Sequence, residues 1–190
     1  MKRMGLCFLV LTGMVWAQTT TFEYIGSNRC KPCHSKAEVG AQFAQWESTA
    51  HAHAYETLLT DESKAIATKL GLKTLPENSP ECLVCHVTGW GSPSGYKLDI
   101  PADDAKALKA NANLAAVGCE SCHGPGSEYK SKKVKEAVVA GTMTKASVGL
   151  LDPTEATCLV CHNSKSPTYK PFDWKSKQAA ITHPNPAHTH

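Results

Sequence analysis

Four short strings in this chain join two cysteines and a histidine at one fixed spacing. They are Cys30-Lys31-Pro32-Cys33-His34, Cys82-Leu83-Val84-Cys85-His86, Cys119-Glu120-Ser121-Cys122-His123 and Cys158-Leu159-Val160-Cys161-His162. In Cys-x-x-Cys-His the two thiols sit about one turn apart and can form thioethers with the two vinyl groups of one porphyrin. The adjacent histidine then lies beneath the iron and offers it a ring nitrogen, the pattern of c-type haem attachment. Chance matches from this composition should number on the order of 0.02 per chain, so four occurrences are not accidental. Each string thus predicts one covalent haem c, with His34, His86, His123 and His162 on the irons. Structural zinc also uses Cys-x-x-Cys pairs, but it has no need of a histidine directly after each second cysteine. A redox dithiol would need a thioredoxin-like pattern of strand and helix, which is absent.

A six-coordinate iron needs a second ligand. The chain has nine histidines, and those outside the motifs are His51, His53, His183, His188 and His190. Of the four methionines, only Met143 lies beyond the N-terminal leader described below, so at most one haem can be His/Met. Bis-histidine ligation lacks the potential-raising effect of an axial methionine, and low reduction potentials are expected. His51 and His183 are the predicted distal ligands. His53 lies two residues from His51, points away from it if the segment is helical, and reads as a surface residue. His188 and His190 follow Pro184 and Pro186. They either form a solvated tail or ligate a haem, in this chain or in a neighbouring subunit.

Cysteine usage also bears on compartment. Of nine cysteines, Cys7 falls in the leader and every other one belongs to a motif, leaving none for a disulfide. Lys2 and Arg3, the apolar run from Leu6 to Val15, and Val15-Trp16-Ala17 read as residues 1–17 of a secretory signal, with Gln18 the mature start. The apolar run is too short to span a bilayer, and no later segment is apolar enough. In an oxidising compartment free thiols would oxidise, so a covalent or metallic partner must claim them. The protein is expected to be periplasmic or otherwise exported, with residues 18–190 forming one domain and 184–190 a flexible tail.

The formal charge is +3. It becomes about +1 without the leader. Haem propionates would take the loaded protein to a value on the order of −3. Nothing in this balance supports nucleic-acid binding.

The elements that must hold these residues read as helices. Val39, Phe43, Trp46, Ala50, Ala54 and Leu58 recur at three- and four-residue steps and predict an amphipathic helix over 36–59. Further helices are expected over 61–70, closed by Gly71, after Pro101, and over 127–140, ending at Gly141. Asp152-Pro153-Thr154-Glu155 reads as an N-cap, a proline at the first helical position and a following acid, opening a helix into the fourth motif. Tyr96 to Ile100 alternates weakly and is the one plausible strand. Few large apolar side chains remain for an ordinary core. The fold class expected is mostly α, a multihaem cytochrome c fold of short helices and loops wrapped around four closely packed haems, with little or no sheet. Trp46, Trp90, Phe172 and Trp174 would face the porphyrins, and the haem-free chain would be largely unfolded.

Several strings resemble the tetrahaem cytochrome c-554 family. They are Tyr24-Ile25-Gly26-Ser27, Trp46-Glu47-Ser48-Thr49-Ala50-His51-Ala52-His53-Ala54, Cys85-His86-Val87-Thr88-Gly89-Trp90-Gly91 and Val117-Gly118-Cys119-Glu120-Ser121-Cys122-His123-Gly124-Pro125-Gly126. The resemblance runs from about Tyr24 to His183. It implies a helical fold with closely packed haems and a role in periplasmic electron transfer. It also implies that His51 serves the fourth-motif haem and His183 the third, and that the second-motif haem is five-coordinate. The family places a distal histidine for the first haem shortly after the third motif. Here Ser127-Glu128-Tyr129-Lys130-Ser131-Lys132-Lys133-Val134-Lys135 contains none, and its lysines read first as a solvated helix face, or else as a dock for an acidic partner or a balance to propionates.

Three functions fit these residues. The first is a carrier of single electrons between redox partner proteins. The second is an oxidoreductase acting on a small nitrogen or oxygen species at a five-coordinate haem. The third is a subunit of a haem-conducting assembly, an arrangement that requires an oligomer.

Overall fold

The computed structural model describes residues 21–183 and 185–186. The expected signal segment 1–17, together with His188 and His190, lies outside these residues. The described chain is helical and contains no strand. Its α-helices are α1 (Lys31–His34), α2 (Gln42–Glu47), α3 (Ala54–Leu58), α4 (Asp61–Lys69), α5 (Pro80–His86), α6 (Ala105–Ala112), α7 (Cys119–His123), α8 (Lys132–Val139), α9 (Glu155–Leu159) and α10 (Trp174–Ile181). None of the described helices is long and apolar enough to cross a membrane.

Local chemistry sets several of the helix starts. Thr60, Asp104 and Ser131 each turn a side-chain oxygen onto a backbone amide of the first turn, from Ser63, Ala107 and Val134 respectively. Such a cap satisfies one of the unpaired amides at a helix start. α4 ends at Gly71 and α8 at Gly141, both with positive φ, as the sequence predicts. α9 opens two residues later than expected. Its N-cap is Thr154, which forms a reciprocal pair with Thr157, while Asp152 is drawn off to Lys145 at 2.7 Å.

Two expectations fail. The helix over 36–59 is broken into a 3-10 turn (Ala37–Val39), α2, a turn and α3. Gly40 and Ala41 both take left-handed backbone, at φ 99° and 46°, which stops a right-handed helix. The Ser48 and Thr49 hydroxyls then donate back to the carbonyls of Gln45 and Trp46, and the chain turns. The apolar three- and four-residue steps reflect burial of the separate pieces. The second failure is the strand at Tyr96–Ile100. Instead of a neighbouring strand, the Asn111 side chain pairs with both backbone groups of Lys97, at 2.8 and 2.9 Å.

The ordinary core is small and sits beside the second motif. Leu58, Leu83, Val87, Tyr96 and Leu114 form it, with Tyr24, Tyr55, Cys82, Trp90 and Ala115 packed against it. Elsewhere large apolar residues remain at the surface, including Leu159 and Val160 inside the fourth motif.

Candidate functional site

Each motif closes as about one helical turn. In the first, the amides of Cys33 and His34 both donate to the Cys30 carbonyl, at 3.2 and 3.1 Å. In the fourth, those of Cys161 and His162 return to Cys158, at 3.1 and 2.9 Å. The second and third motifs lie within α5 and α7. The two sulfurs of every motif thus share one side of a turn with the histidine beside them. Cys33 is exposed and the other motif cysteines are half-buried.

The motif histidines are oriented by what their Nδ1 atoms touch. His34 Nδ1 lies 3.2 Å from Gln42 Oε1, His86 Nδ1 2.5 Å from the Ala54 carbonyl, and His123 Nδ1 3.4 Å from the Leu151 carbonyl. An acceptor at Nδ1 holds the proton there and leaves the Nε2 lone pair for a metal. His162 is placed differently, by stacking on Phe172 with ring centroids 4.9 Å apart. Burial lowers the pKa of His34 and of His123.

Two further histidines face two of these rings. His51 stands with its ring centroid 6.0 Å from that of His162, and His183 lies 5.9 Å from His123. Metal–nitrogen bonds of about 2.0 Å, extended by ~1.2 Å from nitrogen to ring centre, separate two imidazoles across one metal by ~6.4 Å. The observed spacings fit two rings on opposite faces of an iron. His51 has a pKa lowered by burial and then by His162. His53 does not join it: its Nδ1 pairs with Glu56 at 2.9 Å and its Nε2 with the Glu47 carbonyl at 3.1 Å. The turn that replaces the expected helix presents His51 inward and leaves His53 half-exposed. Among the described residues no histidine ring faces His34 or His86, and no three His, Cys, Asp or Glu side chains converge on one point.

The motifs are interleaved. Cys30 of the first lies against Cys119 of the third, and Cys85 of the second against Cys161 of the fourth. Shared hydrogen bonding lowers the Cys119 and Cys85 thiols to about 7 and raises those of Cys30 and Cys161. Such shifts vanish once the sulfurs are thioethers. Cys122 and Cys158 are also close enough to act on one another, linking third and fourth motifs. The spatial order is therefore first, third, fourth, second.

A polar hub ties the segments around the first, second and third motifs together. Glu120, inside the third motif, is 2% exposed and accepts from the amides of Ile25, Gly26 and Gly126. Burial pushes its carboxyl up, and these donors pull the other way. Ser27 Oγ receives the Cys119 amide, while Thr88 Oγ1 receives that of Gly118 and donates to the Ala116 carbonyl. A Cβ at Gly118 would come within 2.3 Å of Ser27 Oγ and 2.9 Å of Thr88 Oγ1, so only glycine lets the strings close. The motif pattern gives no signal for Gln42, Ser27, Thr88 or the anchoring role of Glu120.

Comparison with known proteins identifies the family. The family described as cytochrome c554 and c-prime matches residues 29–124. Cytochrome c-554 of Nitrosomonas europaea is 30% identical over 184 residues, spanning 92% of this chain and 70% of that protein. The structure of reduced cytochrome c554 from the same organism superposes with a TM-score of 0.56 at 28% identity, covering 85% of this chain and 79% of the other. With its covalent haem c attachment strings, the chain belongs to the cytochrome c554 family of electron-carrying c-type cytochromes.

Proposed function

We propose that this protein is an exported, periplasmic tetrahaem carrier that passes single electrons between redox partner proteins, with one haem c on each motif. When bound, haem iron cycles between ferric and ferrous and holds one electron at a time. The chain's own residues attach, orient and crowd these groups. Cys30, Cys33, Cys82, Cys85, Cys119, Cys122, Cys158 and Cys161 form the thioethers. His34, His86, His123 and His162 are the proximal ligands, with His51 distal to His162 and His183 distal to His123.

The observation that carries this reading is the pair of facing imidazoles, His51 with His162 and His183 with His123. Contacts between cysteines of different motifs support close neighbours along the route. Iron count and pyridine haemochrome absorbance should both give four haems per chain, and fewer would overturn the tetrahaem reading.

A second reading is supported at the second motif. His86 is fixed through Nδ1, and no histidine ring faces it among the described residues. An open iron face there would admit a small nitrogen or oxygen ligand. Dithionite-reduced protein exposed to carbon monoxide distinguishes the readings. An unchanged spectrum means every iron is six-coordinate and the protein is a carrier only.

A further inference from the structure

We propose that Glu120 is a potential-setting residue, whose buried negative charge favours the ferric iron of the third-motif haem and holds that haem's reduction potential down. This inference rests on the haem assignment above and gives the carboxylate an electrochemical role beyond tying chain segments together. Glu120 occupies a variable position of the third attachment string, between Cys119 and Cys122. α7 consists of Cys119–His123 alone. Five helical residues rise about 7.5 Å, so the carboxylate rides on the same short turn as both sulfurs and the proximal histidine. The other strings have Lys31-Pro32, Leu83-Val84 and Leu159-Val160 at these positions and carry no acid.

The hydrogen bonds fix its charge state. Oε1 accepts the amides of Ile25 and Gly126 at 3.0 and 2.7 Å, and Oε2 accepts that of Gly26 at 2.7 Å. Among the described residues every partner of this carboxyl is a backbone N–H. A protonated acid would bring an O–H into the cradle with nothing to receive it, whereas a carboxylate only accepts and satisfies all three donors. Burial favours the neutral acid, and the donors oppose it. The charge is also uncompensated. Glu120 is 2% exposed, and among the described residues no lysine, arginine or histidine lies within ion-pairing distance of it. A Cβ at Gly126 would stand 3.0 Å from both Oε1 and Ile25 Cδ1, so backbone and an apolar side chain close over the oxygen.

Amide dipoles soften a carboxylate but carry no net charge. One full negative charge therefore stays in a medium where it acts much more strongly than it would in water. Reduction adds one electron to ferric iron and removes one unit of positive charge there. A fixed negative charge nearby stabilises the ferric form more than the ferrous form, which lowers the potential. The third motif stands between the first and the fourth, so this potential governs how readily an electron crosses the chain.

The test is a spectroelectrochemical titration of the holoprotein, with each wave assigned to its motif by haem-methyl magnetic resonance. Glu120→Gln should make the third-motif haem at least about tenfold easier to reduce, an upward shift of about 59 mV for one electron. Glu120→Asp keeps the charge and should stay near the wild-type potential, although both variants disturb the hydrogen bonds. Glu128→Gln removes an equal charge from an exposed neighbouring position and should move nothing, because solvent and salt screen it. Where Glu120→Gln fails to load haem, Glu120→Asp against Glu120→Asn makes the same comparison one methylene shorter. The proposal fails if neutralising Glu120 leaves the potential unmoved. It fails equally if the aspartate variant shifts as far as the neutral one, since lost packing rather than lost charge is then the cause. A matching shift from Glu128→Gln would also overturn it, in favour of overall charge. A wild-type chain without haem on Cys119 and Cys122 defeats instead the assignment beneath it.

Discussion

The Glu120 carboxylate accepts the Gly26 amide at 2.7 Å across 94 residues of sequence, and the same carboxylate takes the amides of Ile25 and Gly126. A residue in a variable position of the third motif thereby holds the approach to the first. Glu120→Gln keeps one acceptor oxygen but turns an NH2 group toward amide donors. The expected cost is about 1–3 kcal/mol of unfolding free energy, the range for leaving buried donors unsatisfied. Denaturant titration of the holoprotein checks it, and no measurable loss would mean that the hub is not needed.

Replacing the facing histidines should open irons one at a time. His51→Ala is expected to add one carbon monoxide-binding haem equivalent per chain, His183→Ala another, and the double variant two. His53→Ala should change nothing, because both of its ring nitrogens are occupied by Glu56 and Glu47. An identical response from His51→Ala and His53→Ala would undo the assignment of His51.

Iron ligation gives stability a direction in pH. With the irons held as proposed, His34, His51 and His123 each give a ring nitrogen that a proton would otherwise take, so loading favours the neutral imidazole. An imidazole released from iron on unfolding takes up a proton as pH falls below about 6.5. The stability that ligation contributes is thus complete above about pH 6.5 and is lost as pH falls below it. The thermal midpoint of the holoprotein should fall between about pH 7 and about pH 5. A flat or rising profile would contradict this.

How much was legible in the sequence depended on whether the signal was local. The motifs carry their chemistry within five consecutive residues, so covalent haem c attachment could be read directly. α4 and its Gly71 stop, and the Gly141 end of α8, were equally local. The break at Gly40 and Ala41 was not, because alanine in left-handed backbone has no composition cue and apolar spacing persisted through the turn. The substitute for a strand partner at Lys97 comes from Asn111, on a separate helix, and no pattern in 96–100 could announce it. The meeting of His51 with His162 joins distant parts of the chain, and residue type alone could only nominate the partners. Family resemblance supplied the pairing.

The small core leads to an expectation for the haem-free chain. Among the described residues, the buried hydrophobic side chains larger than alanine are Phe43, Leu58, Leu83, Val87, Tyr96, Leu114 and Val148. Domains of comparable length normally bury a much larger apolar fraction. Protein made without haem attachment should give a far-ultraviolet dichroism spectrum close to that of an unfolded chain. Native-like helicity in that material would show that the polypeptide stands without its cofactors.

The interleaving of the motifs has a consequence for biogenesis. Cys30 meets Cys119, and Cys85 meets Cys161, so neither neighbour pair can form until the second half of the chain has been made. A nascent chain that has displayed only its first two motifs contains neither of these contacts. Those attachment strings therefore stay accessible for haem attachment while the rest of the chain is made. His51 likewise waits for His162, near the end of the described chain. Closure is deferred to the last stretch of polypeptide, and a prematurely terminated product remains open to proteolysis.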